Sequence, residues 1–474
     1  MSDGQAIAHL RRTLCFDLTI FERRENHVLA ASGLTRALAE KCTGPAFDEL
    51  PNDVVELARQ ALLDWFAVTL GGSREEGPTM LLDMLPPGDP SDGRTVSVVG
   101  HRTRLTALHA ALVNGTASHR LDFDDVNMTF LGHASVAVTA AALALAEQQH
   151  AGGDELIAAF VTGYETACRI ALAIGPQPYL SGFHYTGTVG TFGAAAAGAR
   201  LLDLDSDRTA VAFGIAASQA AGLKCNLGTM TKSLHAGKAC ESGLLAALLA
   251  ARGFTASPAS IEGAQGFAAL AGGGCDMAAA VADPPSGWHL RDNLFKYHAA
   301  CFFTHSTIEG IRDLRSSGRV AAAEVEQVTV HVGEIELGAC AIAEPATGLE
   351  VKFSLAHLAA MALLDRDTTV ITDEDAEDQQ VIAARAKVAL IDDGAPGQPT
   401  RVDITLRDGS AVHAAHDVTT PQRDLALQYE RVSQKFLSLA EPLIGPTAAA
   451  GLLDRVHALD STVGVRDLMS LTAA

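Results

Sequence analysis

After residue 50 the apolar positions of the chain fall at helical spacing over most of its length. Val54, Leu57, Ala61, Trp65 and Val68 recur every three or four residues behind Leu50-Pro51-Asn52-Asp53, the period of one face of a helix. Asp53 with Glu56 reads as a capping box at the start of that helix, and Gly71-Gly72 as its stop. A loop rich in Pro, Gly and Asp (85–94) leads to a short Val96–Gly100 segment, and a second helix is predicted over 103–119. From 134 to about 275 the pattern predicts helix after helix: 135–150, 153–174, 187–203, 207–222, 236–252 and 259–270.

The period changes after about residue 290. Val328 to Val332 alternates, as do parts of 386–391, 401–406 and 411–416, with Arg407-Asp408-Gly409-Ser410 as the hairpin turn between the last two. Helical stretches at 303–317 and 352–365 lie among these strands, and helical spacing returns from 421 and again at 446–459. The fold class expected is mainly α with a smaller α+β domain. A large, discontinuous all-helical domain (28–290 plus 421–474) carries an inserted α+β domain (291–420). Residues 1–27 are polar and irregular and read as an extension outside both.

Composition narrows the function classes. Hydrophobic residues make up 48% and charged residues 19% of 474 residues, a globular balance. Formal charge is −21 and no basic patch stands out, which argues against nucleic-acid binding, since phosphate neutralisation needs clustered Lys and Arg. An acidic substrate remains possible if the pocket is locally cationic. The eight cysteines form no CxxC pair and match no zinc or iron–sulfur spacing. No metal or other cofactor is therefore expected. The longest apolar runs, near 134–146 and 243–251, fall short of a membrane span, and scattered thiols suit a reduced compartment. A cytoplasmic protein away from membranes is expected.

The chemistry concentrates in a few segments. Leu121 to Ser135 places Asp122, Asp124 and Asp125 within four positions and His133 eleven residues after the first. Carboxylates so close repel one another, so neighbours must neutralise or protonate them. Asp124 and Asp125 read as structural caps or partners for nearby cations. Further polar groups sit among small residues: His184 in 182–187, Lys232 and His235 in 228–238, Lys296 to Cys301, and His305. Lys232 and His235, three apart before a helix of small residues that Thr231 can cap, can reach one pocket. The glycines of 187–193 lack the strand and Lys-Ser/Thr pair of a phosphate loop and read as a smooth face for helix packing. Carboxylate, imidazole and ammonium groups together suit proton removal beside a carboxylate, with cations holding the enediolate.

Several of these segments, in this order, resemble the MmgE/PrpD family. They are LDFDD with GHAS (121–135), GFHYTGTVGTFGAAAAGARLL (182–202), GIAASQAAGL (214–223), GTMTKSLHAGKACESG with LLAALLAARGF (228–254), and KYHAAC with TH (296–305). The resemblance runs from about residue 30 to the C-terminal region. It implies a helical and an α+β domain with the site between them, usually in a homodimer that works without iron–sulfur clusters. By position it implies catalytic roles for Asp122, His133, His184, Lys232 and Lys296. His235, Cys301 and His305 are further pocket candidates for substrate binding.

Two departures bear on the reaction: Val126 stands where decarboxylase-type members have Thr, and Cys301 where His can occur. The leading expectation is a cofactor-independent hydro-lyase of the 2-methylcitrate dehydratase kind, acting on a small polycarboxylate. The alternatives are an epimerase of the iminodisuccinate type and a cis-aconitate-type decarboxylase. From another class comes a non-catalytic dimeric relative, against which the joint presence of Asp122, His133, Lys232 and Lys296 counts.

Overall fold

The computed structural model describes residues 33–42, 44, 46–89, 93–272, 274–393 and 399–474; the 1–27 extension lies outside them. Helices dominate as far as residue 251, running over Leu34–Cys42, Asn52–Gly72, Ala107–Ser118, Ala134–Gln149, Gly153–Ile174, Gly190–Leu201, Ser206–Ala217 and Met230–Ala251. Two helices, Leu425–Ile444 and Pro446–His457, return from the C-terminal region to pack against Asn52–Gly72. Their Val432, Phe436, Leu452 and Val456 join the same apolar core as Trp65, Phe160 and Phe192. Gly153–Ile174 is long and apolar enough to cross a membrane by length and composition, but 89% of its apolar window is buried inside the protein. It is a buried helix of the core.

The second core is smaller. Four strands, β1 (Val325–Val332), β2 (Val388–Asp392), β3 (Thr400–Leu406) and β4 (Ala411–His416), build a sheet in the order β2-β1-β3-β4. β1 and β2 are parallel, while β1–β3 and β3–β4 are antiparallel. The β3–β4 turn is the expected one: Asp408 accepts from the Ser410 amide, and Gly409 takes φ 83°, where a side chain would be strained. Helices His305–Ser316 and Leu355–Leu363 cover the sheet, and Val328, Val330, Ile311, Leu358 and Ile404 close a core separate from the helical one. The protein is thus a large helical domain with a smaller α+β domain.

Several local expectations change. The helix at 52 has no side-chain cap; Asp53 instead accepts from Arg291 at 2.6 and 2.9 Å. Residues 259–270 form turns with one helical turn at Phe267–Leu270, because Pro258, Gly263 and Gly266 favour tight turns over a helix. The stretch 187–203 divides into Tyr185–Thr188 and Gly190–Leu201, and 207–222 stops at Ala217. The helix expected from 236 begins at Met230, capped by Thr229 rather than Thr231.

The small residues of this region do pack helices. A Cβ on Gly163 would lie 2.6 Å from the Gly193 carbonyl, so the backbones of Gly153–Ile174 and Gly190–Leu201 nearly touch. A Cβ on Gly237 would lie 2.3 Å from the Leu112 carbonyl. That close approach seats the Met230–Ala251 helix, with Lys232 in its first turn, against the helix that leads into the acidic segment.

Candidate active site

The helix Ala107–Ser118 ends at His119, and the chain turns sharply through Asp122, which takes the left-handed φ of 53°. Asp is among the few side chains that tolerate this conformation. The turn buries Asp122, and two lysines converge on its Oδ1: Lys296 Nζ at 2.6 Å and Lys232 Nζ at 2.8 Å. Lys296 also donates to the Asp122 carbonyl at 2.8 Å. Burial alone would raise the Asp122 pKa, but Lys232, Lys296 and His133 outweigh it and hold the carboxyl well below its ordinary range. Lys296, wholly buried, is lowered by desolvation and raised more by Asp122 and Asp124, and stays charged.

Asp124 carries a second knot. Its Oδ2 lies 2.8 Å from both His119 Nδ1 and His133 Nδ1. Burial raises its pKa, and the two imidazoles more than reverse that. His133 Nδ1 also lies 2.9 Å from the Asp125 carbonyl. A carbonyl can only accept, so Nδ1 carries the hydrogen and Nε2 is the free basic atom. That Nε2 points toward Asp122, 3.8 Å from Oδ1. His184 Nδ1 meets His235 Nδ1 at 3.0 Å, two imidazoles sharing one proton. Burial and neighbouring cationic groups depress both, His184 strongly.

Asp125 differs from its neighbours. It accepts from Ser135 at 2.6 Å and Asn293 at 2.7 Å but has no cation, and burial with nearby Asp64 raises its pKa to about 8. Its expected part as a structural cap or cation partner becomes that of a neutral acid bonded to Ser135 and Asn293. Asp64 is paired instead with Lys435, 2.6 Å away on the Leu425–Ile444 helix. Lys435 Nζ also donates to the carbonyls of Phe123 (2.6 Å) and Lys296 (3.2 Å). One buried ammonium thus ties together both chain segments that carry Asp122 and Lys296.

These groups border a cavity of about 50 Å³ between the two cores. Asp122, His133, His184 and Lys232 face it from the helical side, and Cys301 and Phe353 from the α+β side. Val126, Leu131, Leu227 and Phe302 make much of the remaining wall apolar. Three expected pocket residues sit elsewhere. Lys296 is fully buried behind Asp122 as its counter-charge rather than at the cavity surface, and His235 stands behind His184. His305 lines a different cavity beside Tyr297 and Arg431, its Nε2 3.2 Å from the Ala300 carbonyl. Sequence reasoning missed His119, Lys435 and Asp64. His119 borders the acidic run and could have been weighed with it. Lys435 lies 371 positions from Asp64 and carries no local signal.

The ligand atoms of His119, Asp122, Asp124 and His133 lie within 4.8 Å of one another, close enough to hold a metal ion. The set does not suit one. Both imidazole Nδ1 atoms already turn to Asp124, and two ammonium groups sit on Asp122, where a divalent cation would face strong repulsion.

Two family descriptions match the chain, the MmgE/PrpD N-terminal domain over residues 36–279 and the MmgE/PrpD C-terminal domain over residues 298–460. The chain belongs to the MmgE/PrpD family. Cis-aconitate decarboxylase of Aspergillus terreus is 28% identical over 478 residues, covering 93% of this chain and 96% of that protein. Cis-aconitate decarboxylase of Homo sapiens is 29% identical over 377 residues, covering 75% and 77%. Membership of the MmgE/PrpD family, with relatives of this kind, supports a lyase-type function.

Proposed function

We propose that this MmgE/PrpD protein is a lyase that cleaves a small polycarboxylate at the carbon next to a carboxylate, using its own side chains. One observation carries the reading: His133, its tautomer fixed by the Asp125 carbonyl, presents Nε2 to a cavity whose other charged groups are Lys232 and Asp122. Lys232 holds a substrate carboxylate and stabilises the enediolate charge that builds there. His133 moves the proton at carbon.

Decarboxylation of the cis-aconitate type is the first reading. The carbon–carbon bond breaks, carbon dioxide leaves, and the electron pair stays on carbon until His133, having first taken a proton from solvent at its free Nε2, delivers that proton to it. The apolar wall of Leu131, Phe302 and Phe353 favours this step, because a carboxylate loses little by becoming neutral carbon dioxide where water is excluded. The relatives' activity supports it further. Dehydration of the 2-methylcitrate type is the second reading, with His133 as base at carbon and a neighbouring acid protonating the departing hydroxyl. Val126, in the cavity wall where decarboxylase-type members have Thr, favours it, since no hydroxyl is there to hold a carboxylate; Cys301, also in the wall, stands where His can occur.

The test offers cis-aconitate, 2-methylcitrate, citrate and iminodisuccinate to the purified protein in deuterated water, with products read by proton NMR and carbon dioxide by trapping. Carbon dioxide from cis-aconitate supports the first reading and water loss from 2-methylcitrate the second. Deuterium entering iminodisuccinate without net loss would make the protein an epimerase. His133→Ala should lower turnover by about 10²–10⁴-fold, the range for a general acid–base group. Unchanged turnover in both His133→Ala and Lys232→Ala would end the lyase assignment at this site.

A further inference from the structure

We propose that the cavity beside His305 is a second ligand site, which holds a small hydroxy carboxylic acid between Arg431 and His305. The cavity measures about 420 Å³ and lies where the Leu425–Ile444 helix faces the α+β domain. Arg431 borders it from that helix, and His305 and Glu309 from the His305–Ser316 helix. Small-molecule sites run from roughly 300 Å³ upward, so the space takes a citrate-sized acid as it stands. Phe295, Phe302 and Val418 give it apolar walls for a carbon skeleton. Phe302 also lines the catalytic cavity, so an acid held here rests on a wall that both cavities share.

Arg431 supplies the charge. Its guanidinium carbon stands 3.4 Å from the centre of the Tyr297 ring. Such a contact positions the guanidinium without using an N–H donor on an oxygen. Arg431 makes no ion pair or hydrogen bond among the described residues. In a chain of formal charge −21, this cation has been left without a carboxylate of its own. A ligand carboxylate can take both arms of the guanidinium in two parallel N–H···O bonds. The other charged groups of the wall are engaged. Glu309 accepts from His298 Nε2 at 2.7 Å and is held ionised by that bond, with Arg312 nearby. His416, at the end of β4, has Nδ1 3.2 Å from the Asp313 carboxylate.

His305 supplies the selectivity. Its Nε2 lies 3.2 Å from the Ala300 carbonyl. That carbonyl can only accept, so Nε2 carries the hydrogen and Nδ1 is left as an acceptor. Burial, with His298 and Lys296 nearby, holds the ring well below its ordinary pKa and keeps it neutral. The residue is only 3% exposed, yet Nδ1 has no hydrogen-bond partner among the described residues. A neutral acceptor nitrogen offers nothing to a carboxylate and accepts readily from a hydroxyl. A plain carboxylic acid therefore uses Arg431 alone, and a hydroxy acid uses both groups.

The experiment titrates citrate, and tricarballylate, which is citrate without its hydroxyl, into full-length Lys232→Ala protein by isothermal titration calorimetry. The variant removes the lysine of the catalytic cavity, so binding is read away from that cavity and without turnover. One citrate per chain is expected, with tricarballylate roughly fivefold or more weaker for want of the hydroxyl bond. Arg431→Gln in the same background should weaken citrate by about tenfold or more, the loss of a charge-assisted pair. Thermal unfolding checks that this exposed substitution leaves the fold intact. Absence of citrate binding at millimolar concentration would overturn the proposal. So would equal citrate affinity in Arg431→Gln, or tricarballylate binding as tightly as citrate. The site does not depend on the lyase reading, and failure to find a substrate leaves this result untouched.

Discussion

At the residue scale, burial with different partners drives three adjacent carboxylates to opposite ends of the titration range. Asp122 and Asp124 are held ionised by lysines and histidines, while Asp125, with donors but no cation, keeps its proton up to about pH 8. The sign of the Asp125 contribution follows. Between the ordinary value of 3.8 and about 8, the folded chain holds a proton that the unfolded chain has released. Stability therefore falls as pH rises through that window and levels off above it. Asp125→Asn cannot ionise, so its stability relative to the parent should improve on going from about pH 5 to pH 8. The gain should be at most about 1.4 kcal/mol per pH unit. Urea unfolding of both proteins at several pH values measures it, and parallel curves would show that Asp125 is ionised when folded. The sequence exposed the crowding of these carboxylates but not which would stay neutral. That depends on Lys435 and Lys296, which arrive from distant segments and spend their charge on Asp64 and Asp122.

At the element scale, helix periodicity was legible wherever one face is buried, as in Asn52–Gly72 and Leu425–Ile444, and strand alternation was legible in β1, β3 and β4. It misled at 259–270, where alanines suggested a helix and closely spaced glycines made turns. Contact between elements was beyond it, and the site depends on one such contact. Lys435, mid-helix, donates to Asp64 on the Asn52–Gly72 helix and to the carbonyls of Phe123 and Lys296. Replacing it leaves Asp64 buried without its cation and two carbonyls without their donor. Lys435→Met should cost about 3–5 kcal/mol of stability, the range for breaking a buried pair from one side. Asp64→Asn added to Lys435→Met should recover part of that loss, because the stranded charge is gone. Chemical denaturation of the two single variants and the double variant closes the cycle. A double variant as unstable as the sum of the singles would mean that Asp64 and Lys435 do not act as a pair.

At the scale of the whole molecule, the two apolar cores meet at the site, and the space between them is too small for the proposed chemistry. A cavity of about 50 Å³ holds a few waters, while small-molecule sites run from roughly 300 Å³ upward. The walls on its two sides belong to different cores: Tyr179 and Leu131 to the helical one, Ala339 and Cys301 to the α+β one. Both cores are tightly packed, so room is made more cheaply by parting their faces than by hollowing either one. A closed form of this kind excludes water from the lysines and imidazoles, which strengthens each of their interactions with a bound acid. A non-reacting tricarboxylate such as tricarballylate should therefore bind while the faces are apart and be enclosed as they close. Backbone amides on both sides of the seam, in 227–232 and 339–353, should exchange with solvent more slowly in its presence, while those of β3 and β4 should not change. Hydrogen exchange read by mass spectrometry reports this directly. Binding of the tricarboxylate with unchanged exchange at the seam would mean that the acid is held somewhere other than between the two cores.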